Sequence, residues 1–560
     1  MTYRKVIMMA LLLLLMPFGV QAQDVPISFD DVSQQVLTEQ FGSAGLAWFD
    51  YNNDDWLDLY VANGPGFPAH LFANNGDGSF TDVAVEAGVA DDDGTSGVVA
   101  GDIDNDGFVD LFVTGTLDTR ALDQAGINIS EVFRLVLSGQ FDSSLISQSP
   151  THLYHNNGDG SFTDIAESAN VPGAETALSA AMADIDNDGF LDIFVTSPGS
   201  LVTLEQHENK LYRNNGDLTF TDISASAGVN TAFGACVVTF SDINLDGWQD
   251  IIVGDCNDVM LRPTPFEVFR NNGDLTFTDI SDEIGMFQEG YWMGIAAGDF
   301  DRDGDVDFFS SNSSGGMNPL QTLPPPGQLD HILFQNNGDG SFTDVAAKAG
   351  LADWEWGWGA SFADFDNDGF DDLFFTGSFP VAPFNIIGDG LGNPGRLLHN
   401  QGDGKFVEIG SQLGFDFSDI FTTGVAVADY DRDGDPDLSV GGASFPDADG
   451  KLREGHIALF ENTTENDNHW LTVRAVGTRS NRDGIGARVT VIADDGQQMR
   501  EVRAGSSFAS MDSPWLMFGL GATERVTLEV VWPSGIVERY DDVPADQMVT
   551  LIEEQGIELL

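Results

Sequence analysis

Nearly the same nine residues recur seven times along this chain, and each copy places acidic or amide side chains at its positions 1, 3, 5 and 9. The copies start at Asp50 (DYNNDDWLD), Asp102 (DIDNDGFVD), Asp184 (DIDNDGFLD), Asp242 (DINLDGWQD), Asp299 (DFDRDGDVD), Asp364 (DFDNDGFDD) and Asp429 (DYDRDGDPD). The ligand positions so defined are Asp50, Asn52, Asp54 and Asp58 in the first copy, then Asp102, Asp104, Asp106 and Asp110, and Asp184, Asp186, Asp188 and Asp192. Asp242, Asn244, Asp246 and Asp250 follow, then Asp299, Asp301, Asp303 and Asp307, then Asp364, Asp366, Asp368 and Asp372, and last Asp429, Asp431, Asp433 and Asp437. Alternate residues set three oxygens on one side of a tight loop, glycine at position 6 turns the backbone, and the ninth residue closes the coordination shell. Four carboxylates within a few ångströms repel one another unless a cation lies among them. Donors that are all oxygen predict a hard cation, Ca²⁺, at up to seven sites. Ordinary Asp-Gly hairpin turns would account for one copy but not for seven. The Asp50 copy is the weakest, with Asn52 at position 3 and Asp55 in place of glycine, and the Asp242 copy carries Asn244. The copies have no Glu at position 12, and flanks such as Leu111-Phe-Val-Thr114 read as strands, so the loops are not EF-hands.

A second repeat runs in phase with the first. LFANNGDGSFTDV starts at Leu71, LYHNNGDGSFTDI at Leu153, LYRNNGDLTFTDI at Leu211, VFRNNGDLTFTDI at Val268 and LFQNNGDGSFTDV at Leu333, with a looser copy, LLHNQGDGKFVEI, at Leu397. Each is a strand, a tight turn and a second strand, so every period carries about four strands, as a propeller blade does. The seventh copy is split between the ends: Ala458-Leu-Phe-Glu-Asn462 supplies one half and Ile27-Ser-Phe-Asp-Asp-Val32 the other. Strands from both ends then complete one blade and close the ring, which removes exposed edges. Small residues precede the acidic loops, as in Gly97-Val-Val-Ala100 and Gly294-Ile-Ala-Ala297, and predict innermost strands where the blades taper.

The paired DxDxDG and NNGDGxFTD units resemble the FG-GAP/VCBS repeats of the integrin-α type over residues 27–463. The remainder resembles the ASPIC/UnbV domain over 467–556, through His469-Trp-Leu-Thr-Val473, the stretch Gly477 to Ala487, Gly505-Ser-Ser-Phe508, Phe518-Gly-Leu-Gly521 and Trp532-Pro-Ser-Gly535. Together they resemble the cartilage acidic protein family, including its bacterial members. The resemblance implies an all-β fold, a seven-bladed β-propeller followed by a smaller C-terminal β-sandwich-like domain, with calcium in the loops and an extracellular setting. It implies interaction rather than a reaction.

Residues 1–22 read as a Sec-type signal peptide: Arg4 and Lys5, an apolar stretch from Val6 to Leu15, and Val20-Gln-Ala22 at the cleavage point. The expected location is secreted or periplasmic, with no membrane span elsewhere. The formal charge of −67 becomes −69 once those two basic residues leave. The segment from 464 to the C-terminus holds 8 Arg against 16 acids, a net of −8, which leaves −61 on the repeats. Such a field excludes nucleic acid and anionic membranes as partners and favours divalent ions and cationic surfaces. Cys236 and Cys256 lie symmetrically about Asp246, as cross-strand neighbours around a hairpin loop would. In an oxidising compartment a disulfide is favoured over two buried thiols, and the absence of CxxC makes it a staple rather than a redox centre.

Neither GxSxG, HExxH nor a phosphate-binding glycine loop is present. Aromatic residues gather just before the small-residue strands: Tyr291, Trp292, Trp354, Trp356, Trp358, Phe233 and Phe421. With the acidic loops on one face, these fall near the opposite mouth of the channel, where Trp354, Trp356, Trp358, Tyr291 and Trp292 form a candidate ligand-binding rim. The alternative is that they wedge between blades as core. Two inserts, residues 116–150 and Gly315 to Gln328, are further recognition candidates or solvated excursions. The expected function is an extracellular binding or adhesion module for a protein or glycan. The alternative is a polysaccharide lyase or hydrolase working at the channel mouth.

Overall fold

The small-residue strands stand side by side around an axis. The computed structural model describes residues 26–33, 45–118, 120–127, 134–135, 138, 140–174, 176–199, 207–230, 234–256, 263–312, 330–352, 354, 357–378, 392–415, 417, 420–443, 445–446, 452–453, 455–494 and 496–559. Seven four-stranded antiparallel sheets radiate from the axis, one of them with a short extra strand. Their innermost strands are Gly45–Phe49, Thr95–Gly101, Ala180–Ala183, Ala235–Ser241, Trp292–Gly298, Ala360–Ala363 and Phe421–Ala428, and each packs on the next until the last meets the first. This is a seven-bladed propeller. We number blades 1 to 7 in that order.

Blade 7 shows the ring closure. Phe29–Asp31 is its outermost strand and pairs antiparallel with Ile457–Asn462, with Phe29 opposite Asn462 and Asp31 opposite Phe460. A ring closed by backbone hydrogen bonds between the two ends leaves no open edge between first and last blade. The axis explains the glycines. A Cβ on Gly97 would run into the Leu178 carbonyl beside blade 3, and one on Gly294 into the Trp358 carbonyl beside blade 6. Any side chain there would force neighbouring blades apart. Each acidic loop joins the first strand of its blade to the second, and each Asn-Gly turn joins the third to the fourth.

The C-terminal part forms two more four-stranded sheets. One orders Leu516–Gly521, His469–Val476, Gln547–Ile552 and Gly556–Leu559, with the middle pair parallel. The other orders Gly496–Glu501, Arg488–Ala493, Arg525–Val531 and Val537–Pro544. Leu471, Val473, Val489, Val491, Leu528, Trp532 and Leu551 alternate inward along these strands, and their core is continuous with that of blades 1 to 3. Cys236, in the inner strand of blade 4, is disulfide-bonded to Cys256, just past the second strand, with Cα atoms 5.6 Å apart. The leader at 1–22 and the insert from Gly315 to Gln328 lie outside the described residues, and residues 116–150 are described in part, with a short helix at Arg120–Ala125.

Candidate functional site: the acidic loops and the filled axis

Six of the seven acidic loops repeat one set of hydrogen bonds; in the seventh the Gly434 N–H donates to Asp429 while the Asp433 N–H donates to Asp431. The position 1 carboxylate accepts the backbone N–H groups of positions 5 and 6: Asp106 and Gly107 donate to Asp102 at 3.2 and 2.7 Å, and Asp188 and Gly189 to Asp184 at 3.1 and 2.8 Å. The position 9 carboxylate ties the loop to its own hairpin. Asp110 accepts from Ile103 N–H at 2.9 Å and from Asn156 N–H at 2.7 Å, and Asp192 from Ile185 and Asn214 at 2.9 and 2.7 Å. The chain turns this tightly because position 4 and the following glycine at position 6 both adopt positive φ, as at Asn105 (62°) and Gly107 (93°). Asp55, which stands where the other copies have glycine, reaches the same region at 67° and bonds Arg474 at 2.7 Å.

Ligand-type atoms of Asp102, Asp104 and Asp110 lie within 4.8 Å of one another, as do those of Asp184, Asp186 and Asp192. Imidazoles join two of the loops: His155 with Asp104 and Asp106, and His399 with Asp366 and Asp372. The backbone bonds do not use all of these oxygens. Oδ1 of Asp186, of Asp301, of Asp366 and of Asp429 is buried with no hydrogen-bond partner, a costly state for a carboxylate unless a cation shares the cavity. Burial pushes the Asp58, Asp250 and Asp299 carboxyls up to about 8 and Asp184 to about 7. Burial and then Asp483 take Asp102 to about 8. Asp192, Asp307, Asp364, Asp429 and Asp437 are all raised well above the usual carboxylate range by burial first. A bound divalent ion reverses that preference by favouring the ionised form. The donor set therefore fits a metal ion, and several of the clusters can hold one. The third loop differs: Arg213 from its hairpin bonds Asp186, and its Nη2 lies 2.8 Å from Asp188, so a guanidinium already faces those oxygens.

Two groups of contacts link the loops to each other. In six blades the first Asn of the hairpin donates its Nδ2 to the position 2 carbonyl of the preceding blade: Asn74 to Tyr430, Asn156 to Tyr51, Asn214 to Ile103, Asn271 to Ile185, Asn400 to Phe300 and Asn462 to Phe365. In the other direction, position 4 reaches the next loop. Asn53, Asn105, Asn187 and Asn367 donate to the carbonyls of Gly107, Gly189, Gly247 and Gly434. Where position 4 is Arg, the guanidinium lies over the next loop's aromatic residue instead: Arg302 is 5.0 Å from the Phe370 ring and Arg432 is 4.4 Å from the Trp56 ring. The recurrence of this Asn in the hairpin copies is the sequence signal for the bridging role, which a turn alone does not require.

The C-terminal sheets sit on this loop face. Arg474 bonds Asp55, Arg500 bonds Asp371, Arg488 lies 3.6 Å from Asp242, and the Asp102 N–H donates to Asp483. Met499 N–H donates to Asp299 at 3.0 Å, and Asn466 and Asn468 both donate to the Asp366 carbonyl. Between two of these strands the chain enters the axis, and residues 504–513 touch the inner strand of every blade. Met511 exchanges backbone bonds with Leu46 and Trp48, Ala509 accepts from Val98, Ala504 from Met182, Ser507 donates to Ile295, and Ser513 donates to Val427. Gly505 accepts from the Thr239 hydroxyl, and the Ser507 hydroxyl accepts from Ala360 N–H. Asp512, pushed up to about 6 by burial, accepts from Val427 N–H and from the Ser361 and Ser506 hydroxyls. Nothing in the hydropathy or spacing of Gly505-Ser-Ser-Phe-Ala-Ser-Met511 marks it for this place.

Phe508, at the tip, packs with Cys236, Met293 and Ala509 and lies edge-on to Trp358, whose ring is 4.8 Å away. Of the aromatic candidates, Tyr291 is 5% and Trp292 2% exposed, with Trp292 edge-on to Phe266. Trp358 is half-buried between Phe421 and Phe508, and Trp354 is half-buried beneath Arg396. Trp356 and Phe233 lie outside the described residues.

Comparison with known proteins agrees with this architecture. The FG-GAP-like repeat family matches residues 50–113, 138–195, 201–253, 254–310, 329–375 and 386–440, and the ASPIC and UnbV family matches 477–558. Cartilage acidic protein 1 of Mus musculus is 25% identical over 97% of this chain and 80% of its own length. The Homo sapiens protein is 26% identical over 97% and 77%. Among solved structures, rhamnogalacturonan lyase YesW aligns with a TM-score of 0.36 and 13% identity over 80% of this chain and 77% of its own, a likeness too slight to carry any argument. No helix among the described residues is long and apolar enough to cross a membrane.

Proposed function

Because the chain belongs to the FG-GAP-like repeat proteins that end in an ASPIC and UnbV domain, and is a homologue of cartilage acidic protein 1, we propose that it is an exported, calcium-loaded propeller. In this reading it works as a binding module for an extracellular protein or glycan. One observation carries the choice. The loop face holds buried carboxylates with lone pairs unspent, while the axis is filled by residues 504–513 of the same chain. An enzyme of the channel-mouth kind needs that axis open to substrate, so the filled axis favours binding on an outer surface. Calcium would be held by positions 1, 3, 5 and 9 of each loop and would supply positive charge that keeps those carboxylates ionised. The leader at 1–22 supports export, and the net charge of −67 supports a partner that presents cations.

The test is a count of bound Ca²⁺ in two variants. Asp366→Ala removes an oxygen from a complete loop and is expected to lower the count by one. Asp55→Ala, at the turn position, is expected to leave it unchanged. Equal loss from both overturns the register of the loops. A glycan and peptide array read with and without Ca²⁺ then identifies the ligand class. Trp354→Ala, at the half-buried ring beneath Arg396, tests the aromatic rim.

A further inference from the structure

Blade 2 carries a second cluster of metal-type donors at the end opposite its acidic loop. Asp91 and Asp93 lie just before the inner strand Thr95–Gly101, and the acidic loop starting at Asp102 follows the far end of that strand. His152 opens the third strand, His152–Asn156, and ligand-type atoms of Asp91, Asp93 and His152 lie within 4.8 Å of one another. Two carboxylates alone would be an acidic patch. The imidazole is the independent observation: His152 is 4% exposed, its Nδ1 lies 2.9 Å from Asp164 Oδ2, and its Nε2 has no hydrogen-bond partner. That Nε2 points at Asp91 Oδ2 from 3.6 Å, too far for a hydrogen bond. Two ligands on one tetrahedral ion, with bonds of about 2.0 to 2.1 Å, stand about 3.3 Å apart, close to this spacing. Asp164 as acceptor places the imidazole proton on Nδ1 and leaves the Nε2 lone pair towards Asp91, the carboxylate–histidine arrangement that orients metal-bound imidazoles.

The same position in blade 3 shows the alternative solution. There Lys210 replaces the imidazole and its Nζ lies 3.1 Å from Asp222, the counterpart of Asp164, so a fixed ammonium supplies the positive charge. Blade 2 has no such ammonium. The Arg120 guanidinium is held by Asp118 at 2.8 Å and stands 3.6 Å from Asp93.

We propose that Asp91, Asp93 and His152 form a site for a divalent transition-metal ion of the zinc class, separate from the acidic loops and at the opposite end of blade 2. One imidazole and two carboxylates suit Zn²⁺ or Co²⁺ better than Ca²⁺ and leave a fourth position for water or for a donor from a partner. Asp164 is a positioning residue.

The test uses the full chain in saturating Ca²⁺ and titrates it with Zn²⁺, then with Co²⁺ as a visible-band probe. The loops are common to all proteins compared, so the difference between proteins counts this site even if the loops take no calcium. The double variant Asp91→Asn and Asp93→Asn keeps the Asp91 backbone carbonyl that accepts from Ala69 N–H, along with a side-chain oxygen at position 91 for the position 93 N–H. It is expected to bind one Zn²⁺ fewer than the wild type and to lose the Co²⁺ absorption of a nitrogen-containing site, with an unchanged melting temperature. His152→Gln is expected to lose the same equivalent. Asp164→Asn should weaken Zn²⁺ about 10-fold or more without changing the count at saturation. Equal Zn²⁺ counts in the wild type and the double variant overturn the proposal and leave the cluster as an ion pair of His152 with Asp91.

Discussion

The loop face and the axis both hold the seven blades in register, by opposite means. At the loop face the work falls to charged and polar side chains: buried carboxylates, Asn amides that bridge to neighbouring blades, and Arg over aromatic rings. Along the axis it falls to ordinary backbone bonds and small side chains of one segment, residues 504–513. The first arrangement can take a cation, and in the proposed reading it is completed by one, since burial raises its carboxyls; the second is complete as it stands. The blades are therefore tied twice, once conditionally and once by the chain itself, and the two ties should fail under different conditions.

Chelation gives the largest expected effect. A site held at 100 times its dissociation constant adds about 2.7 kcal/mol, so stripping several loops should lower the melting temperature by about 10 °C or more. Differential scanning calorimetry in excess chelator reads this, and an unchanged curve breaks the comparison at the loop face.

Next comes the axis. Phe508 is 3% exposed, and Phe508→Ala should cost about 3 to 5 kcal/mol while leaving the calcium count intact. Denaturant unfolding and metal analysis of the same sample separate the two readouts. Loss of calcium without loss of stability would assign Phe508 to the loops instead.

A smaller effect is expected for Asn214→Ala. Its Nδ2 bonds the Ile103 and Leu191 carbonyls at 2.9 and 3.0 Å, and removing it leaves buried acceptors unpaired at about 1 to 3 kcal/mol. Asn187→Gly, which keeps the positive φ of 55° accessible while removing the exposed bond to the Gly247 carbonyl, should cost less than about 1 kcal/mol. Equal costs would mean that burial does not set the strength of these links.

The last prediction concerns the sign of the pH dependence rather than its size. In the chelated protein, burial pushes the Asp58, Asp102, Asp250 and Asp299 carboxyls up to about 8, against about 4 for an unfolded aspartate. The folded state then holds more protons, so the stability of the chelated protein should fall as pH rises from about 4 to 8. With calcium bound, protons compete with the ion and the slope is reversed, stability falling as pH falls. Melting temperatures at four pH values in each condition test the sign.

The parts of this molecule that were legible in the sequence are those that repeat. Asp102, Asp184 and their counterparts could be aligned by eye, and the split seventh blade could be inferred because Ile27 to Val32 resembles half of a repeat present elsewhere. The inward small residues were legible because a narrowing wedge admits only them. Residues 504–513 escaped because one unrepeated Ser- and Ala-rich segment carries no period, and its partners are backbone groups that every sequence has. The position of the C-terminal Arg residues escaped for a related reason. Arg474, Arg488 and Arg500 are scattered in sequence, and only the fold brings them over Asp55, Asp242 and Asp371.

Amide hydrogen exchange with and without calcium tests the double tie most directly. The account predicts that chelation speeds exchange at the loop amides of Asp106, Gly107, Asp188 and Gly189, which donate to the position 1 carboxylates. It predicts that the amides of Val98, Met182, Ser507 and Val427, bonded across the axis, keep their protection. Equal loss at both sets, or no change at the loops, would contradict it.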